Sequence, residues 1–115
     1  MESIWKKTAE LPEFHTLTKD IRTKVLIIGG GMAGILCAYF LQRSGVDYCL
    51  LEADTICSGV TGNTTAKITS QHGLIYDSLI SRAGREIADG YLRANELALK
   101  RNKDLGWLID CDMKE

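Results

Sequence analysis

The sequence has a single proline, Pro12, and neither a low-complexity tract nor an internal repeat, so it does not read as a linker or a repeat array. None of its four cysteines, Cys37, Cys49, Cys57 and Cys111, stands in a C-x-x-C pair, which removes the usual zinc and iron–sulfur spacings. Thiols spaced in this way suit a reducing compartment, and a cytoplasmic location is expected. There is no excess of charge of either sign: 14 basic against 15 acidic residues leave a net charge of −1, and no long basic run points to nucleic acid or an anionic membrane. The first residues, Met1-Glu2-Ser3-Ile4-Trp5-Lys6-Lys7, lack the apolar stretch of a secretory signal. The uncharged run from Val25 to Leu41 is slightly short for a membrane span and holds four glycines, so it reads as strand, turn and helix.

What remains is the composition of a globular protein, with 115 residues, enough for one domain. Residues 1–23 are mixed in character and are expected to form an irregular arm, with Ile4 and Trp5 anchored on the body. Lys24 to Ile28 is a β-branched run of the kind found in buried parallel strands. Met32 to Ser44 reads as a helix with Ile35, Ala38, Tyr39 and Leu41 on its apolar face, stopped by Gly45 at the C′ position. Asp47 to Leu51 reads as a second buried strand, and Ala66 to Ser70 as a candidate third. Residues 53–73 form a long Gly-, Thr-, Ser- and Asn-rich loop, a length that usually carries function. Beyond it, Ile80, Ala83, Ile87, Tyr91, Ala94, Ala98 and Leu105 recur at helical spacing, which predicts one or two amphipathic helices with a break at Gly84 and the stripe packed into a core. A doubly wound domain needs about five or six strands; with two or three, residues 24–115 read as the N-terminal portion of a larger protein, or as a sheet completed by another copy.

The central motif is Gly29-Gly30-Gly31-Met32-Ala33-Gly34. G-x-G-x-x-G alone is weak, but here it follows a strand, opens a helix and precedes Glu52 at the end of the next strand, about 20 residues on. Gly29 permits the turn, Gly31 lets a pyrophosphate approach the backbone, and Gly34 lets the helix pack closely. The N–H groups around Gly31, Met32 and Ala33 face the phosphates, aided by the helix dipole. The Glu52 carboxylate accepts from ribose hydroxyls and disfavours a 2′-phosphate, so FAD and NAD fit better than NADP. The loop Cys57-Ser58-Gly59-Val60-Thr61-Gly62-Asn63-Thr64-Thr65-Ala66-Lys67 supplies a second hydroxyl-rich segment for the rest of an extended dinucleotide; a plain solvated loop would have the same composition.

Val25 to Glu52, Ser58 to Lys67 and Thr69-Ser70-Gln71-His72-Gly73-Leu74-Ile75-Tyr76 together resemble the D-amino-acid-oxidase-type FAD-dependent oxidoreductases. The group includes glycine and sarcosine oxidases, and the likeness is greatest to bacterial members with a C-terminal Rieske domain. The resemblance implies an α/β, Rossmann-like FAD-binding βαβ unit followed by amphipathic helices, with the sheet incomplete in this chain. It implies pyrophosphate contacts at Gly29, Gly31 and Gly34, with Met32 and Ala33 between them. It places the ribose at Glu52 and the adjoining Ala53, and the pyrophosphate-to-flavin portion along Thr61, Gly62, Asn63, Thr64 and Thr65. Related dehydrogenases attach flavin through a histidine near the Asn63 position; Asn63 implies non-covalent FAD. A 2Fe-2S Rieske cluster is implied only in a part beyond this chain.

The implied reaction is oxidation of a C–N bond in a small amine or amino acid by hydride transfer to flavin. No residue is assigned as catalytic and none as a metal ligand. His72 beside Gly73 reads as a hydrogen-bonding loop residue before a general base, Lys67 as a solvated cation and Cys57 as packing. Two other readings stay open: a non-catalytic NAD- or ADP-binding module, and an inert fragment that self-associates through an unfinished sheet edge into a homo-oligomer.

Overall fold

The computed structural model describes residues 3–111 and residue 113. The chain forms two compact units, Met1–Thr65 and Ala66–Glu115.

The first unit is built on helix α1 (Ile4–Thr8), strand β1 (Val25–Ile28), helix α2 (Met32–Arg43) and strand β2 (Tyr48–Leu51), followed by a 3-10 turn at Thr61–Asn63. The strands are parallel, with Val25 opposite Tyr48 and Ile28 opposite Leu51. The Gly29 N–H extends the ladder by donating to the Leu51 carbonyl at 2.8 Å. Asp47 fastens the other end, its carboxylate accepting from the Lys24 N–H at 3.0 Å and the Thr23 hydroxyl at 3.2 Å. β-branched and leucine side chains favour these strands, and a parallel pair requires the crossover that α2 provides.

Both glycine assignments around α2 have a visible cause. Gly29 has φ 102°, a left-handed conformation that L side chains rarely adopt. Gly34 lies so close to the Gly29 carbonyl oxygen that a Cβ would collide with it, and the same Cβ would sit 3.4 Å from Ile27 Cγ2. At the far end Gly45 has φ 65°. Its N–H donates to the Gln42 carbonyl at 3.1 Å and the Val46 N–H to the Leu41 carbonyl at 3.0 Å, which together complete a Schellman cap.

The second unit is a helix pair, α3 (Ile75–Ala83) and α4 (Arg85–Gly106), broken at Gly84 with φ 87°. Tyr76 donates to the Ser70 carbonyl at 2.6 Å and meets Tyr91 edge to face, with centroids 6.0 Å apart. Partial burial, followed by Tyr91 and Glu96, pushes the Tyr76 phenol above its usual range. Among the described residues no helix is long and apolar enough to cross a membrane.

Four expectations need correction. The arm is not wholly irregular, since Ile4–Thr8 is helical. Ala66 to Ser70 forms no strand, and among the described residues the sheet has two strands; Ala66 itself has φ 52°, which is incompatible with extended pairing. The first strand is covered on one face: Val25 and Ile27 are half-buried, while Leu26 and Ile28 are 52% and 84% exposed. Full burial of such a side chain is worth about 1.5–3 kcal/mol, of which Ile28 forgoes most and Leu26 roughly half. The stripe on α3 and α4 is also mostly uncovered, with Ile80, Ala83, Ile87, Tyr91, Ala94 and Ala98 exposed and Leu105 half-buried. Ala88, outside that stripe, is the buried hydrophobic position among the described residues.

Replacing Gly45 with Ala forces a Cβ into the left-handed region and should cost the protein about 1–2 kcal/mol. A shift of the denaturant midpoint at constant slope checks this; an unchanged midpoint would show that the cap carries no strain.

Candidate dinucleotide site

The site grows from the register of the two strands. One step beyond Ile28 and Leu51, Glu52 arrives beside the turn that leaves β1. Its Oε2 accepts from the Gly30 N–H at 2.6 Å, and Oε1 accepts from the N–H groups of Ala53 at 2.8 Å and Asp54 at 3.2 Å. Three backbone donors on one carboxylate favour its charged form. The Gly30 contact, then Asp54 and Ala53, hold Glu52 below its ordinary value of 4.5.

Gly31 is the N-cap of α2 and offers no side-chain cap. By helix geometry the first N–H groups, those of Met32, Ala33 and Gly34, have no acceptor within the helix. The Met32 N–H finds one outside it, donating to the Thr61 hydroxyl at 3.0 Å. A Cβ on Gly31 would stand 3.3 Å from that same hydroxyl oxygen. The loop carrying Thr61 is tied to the turn a second time, because the Cys57 N–H donates to the Gly30 carbonyl at 2.9 Å. The Cys57 thiol lies 3.7 Å from the same carbonyl, a weak contact that fits packing.

The structure therefore brings together Gly29, Gly31, Met32, Ala33 and Gly34 at the turn, Glu52 and Ala53 at the end of β2, and Thr61. Gly62 lies against the Cys57 carbonyl and is buried in its own loop. Asn63 donates its side-chain amide to the Gly59 carbonyl at 2.7 Å, and the Thr64 hydroxyl reaches the Thr61 carbonyl at 3.4 Å. These two brace the loop from within, and Thr65 is exposed. His72 and Lys67 belong to the second unit, where both are exposed.

The sequence reading missed Gly30, whose N–H holds Glu52 and whose carbonyl holds Cys57. The available signal was the register itself, since an acid ending β2 must face the residue after Gly29. It also missed Lys6, which donates to the Ser58 carbonyl at 2.6 Å. Beside the site an open groove of about 1160 Å3 runs between residues 11–19 and β2, reaching Glu52, Ala53 and Asp54.

A glycine turn opening a helix, closed by a carboxylate and faced by a second loop, resembles the arrangement that adenine-dinucleotide sites use. The family model for FAD dependent oxidoreductases matches residues 24–114. The chain belongs to the FAD-dependent oxidoreductase family. It is 40% identical over 99% of its length to YhfW of Bacillus subtilis (strain 168), whose name describes it as a Rieske 2Fe-2S iron-sulfur protein; the match spans 23% of that relative. It is 40% identical over half its length to the FAD-dependent monooxygenase atmM of Aspergillus flavus, covering 12% of that protein. It is 26% identical over 86% of its length to the mitochondrial pyruvate dehydrogenase phosphatase regulatory subunit of Mus musculus, again covering 12%. The chain thus spans less than a quarter of the length of these relatives. No solved structure gives a significant match.

Because its folded-state value is depressed, Glu52 contributes stability that is fully present above pH 4.5 and lost as pH falls through that lower value. The Gly30 amide resonance should therefore hold its position down to pH 4.5 and move only below it. A midpoint at or above 4.5 would contradict the three-donor clasp.

Proposed function

We propose that the chain holds the ADP portion of a non-covalent FAD for an oxidoreductase that oxidises the C–N bond of a small amine or amino acid. The observation that carries the reading is the shared hold on the turn. Glu52 fixes the Gly30 N–H, while among the described residues the opening N–H groups of α2 meet one protein acceptor, the Thr61 hydroxyl. The fit to a diphosphate is supported by the turn's lack of side chains: a Cβ at Gly34 would strike the Gly29 carbonyl, and one at Gly31 would crowd the seat beside Thr61. Three backbone donors occupy the Glu52 carboxylate, two on Oε1 and one on Oε2, which leaves a lone pair on Oε2 for a ribose hydroxyl. Asn63 carries an amide turned onto Gly59, chemistry that forms no bond to flavin and supports a dissociable cofactor.

When bound, FAD supplies the acceptor for a hydride leaving the carbon beside the amine nitrogen. This chain's residues bind and orient: amides and the α2 dipole balance the diphosphate charge, and Glu52 fixes the sugar. The matches to FAD-dependent monooxygenases over 50% and 41% of the chain support the cofactor and say nothing of an amine reaction. For YhfW, the name supports a 2Fe-2S cluster as a companion centre in the whole protein.

The full-length protein should purify yellow, release its flavin into the supernatant on acid precipitation, and bleach anaerobically with a small amine or amino acid. Flavin retained in the pellet would refute non-covalent binding, and bleaching by no amine would refute the substrate class. Replacing Glu52 with Ala should weaken FAD about ten- to hundredfold, the worth of hydrogen bonds to a charged group. Equal affinity in a fluorescence titration would remove Glu52 from the site.

A further inference from the structure

The five residues of α1 are too few to be helical alone, and nothing caps their start with a side chain. Their order comes from two long-range hydrogen bonds. The Trp5 indole N–H donates to the Thr64 carbonyl at 2.8 Å, and the Lys6 ammonium donates to the Ser58 carbonyl at 2.6 Å. Lys6 Cε also stands 3.1 Å from where a Cβ on Gly62 would be, so its stem lies across the middle of the same loop. The two accepting carbonyls bracket Thr61, the residue whose hydroxyl meets the Met32 N–H at 3.0 Å.

The geometry points to α1 as a strap that sets Thr61 against the opening turn of α2, with Trp5 and Lys6 as positioning residues for the diphosphate seat. This rests on the dinucleotide reading above. The loop has its own internal bonds, from Asn63 to Gly59 and from Thr64 to Thr61, which give it shape. Those bonds do not fix where the loop stands relative to α2. Cys57 pins one end to the Gly30 carbonyl. Beyond that pin, the Ser58 N–H donates to the Thr55 carbonyl at 3.2 Å, and contacts that reach Ser58 to Thr64 from helices of the unit include the Thr61 contact with α2 and the two from α1. An indole N–H and an ammonium reach carbonyls at both ends of a seven-residue segment, which is what restraining its tilt requires. Trp5 is 41% exposed and Lys6 is exposed, so neither side chain is part of a core whose loss would unfold the unit.

The test uses the full-length protein with Trp5→Phe and Lys6→Met together, which remove both donors and keep ring and stem. FAD should leave the double variant about tenfold faster than the wild type, the effect of losing two hydrogen bonds. Lys6→Arg, which keeps a donor, should restore slow release in the presence of Trp5. In a Thr61→Val background the double substitution should change release no further, because the strap acts through that hydroxyl. Unchanged release, or an equal acceleration with Val at position 61, would overturn the proposal. Should the wild type hold no FAD, the dinucleotide reading fails. The strap is then judged by hydrogen exchange at the Met32 amide in the flavin-free protein: faster exchange in the double variant sustains it and equal exchange overturns it.

Discussion

The contact between the Glu52 carboxylate and the Gly30 amide is the constraint on which the first unit turns. At 2.6 Å it joins the end of β2 to the bend that leaves β1. It is strong because the acceptor is charged, and its charge is kept by two further backbone donors on the other oxygen. With Gly30 fixed, its carbonyl is aimed at the Cys57 N–H and the second loop is drawn to the mouth of the turn. The helix dipole, the open N–H groups and the hydroxyl of Thr61 then converge on one place. On the proposed reading, the few hydrogen bonds that hold this turn are also the ones that shape the seat.

The small sheet explains why such a clasp is needed. Two four-residue strands contribute few ladder bonds, and Leu26 and Ile28 lie on the more exposed face of β1, opposite the half-buried Val25 and Ile27. Asp47 and Glu52 act as end-pieces, one carboxylate at each end of the parallel pair. Between them the register cannot slip by a residue without unpairing a charged acceptor.

Much of this was legible in the sequence because it is set locally. Gly29 and Gly45 announce left-handed backbone, and the break at Gly84 interrupts a helical period; all three have positive φ. The strand pair and Glu52 follow from β-branched runs and spacing. What was illegible depends on distance or on cover. Helix α1 is held by partners 59 and 52 residues away, so no local period marks it. Periodicity names the apolar side of α3 and α4 but not what lies over it, which is why a stripe read as core is largely exposed. Composition put Asn63 in the loop, but only the backbone path showed its amide turned to Gly59. Ala66 to Ser70 has strand-like residues, but the φ of 52° at Ala66 breaks the extended backbone a strand needs.

Membership of the FAD-dependent oxidoreductase family and the geometry of the turn both support the proposal that amides opening α2 seat a diphosphate while Glu52 holds the adjoining sugar. The direct test is calorimetric titration of the flavin-stripped full-length protein with ADP, followed by displacement with FAD. The account predicts that ADP binds with one-to-one stoichiometry, more tightly than adenosine, and is displaced fully by FAD. Absence of ADP binding, or ADP and FAD bound together without competition, would contradict it.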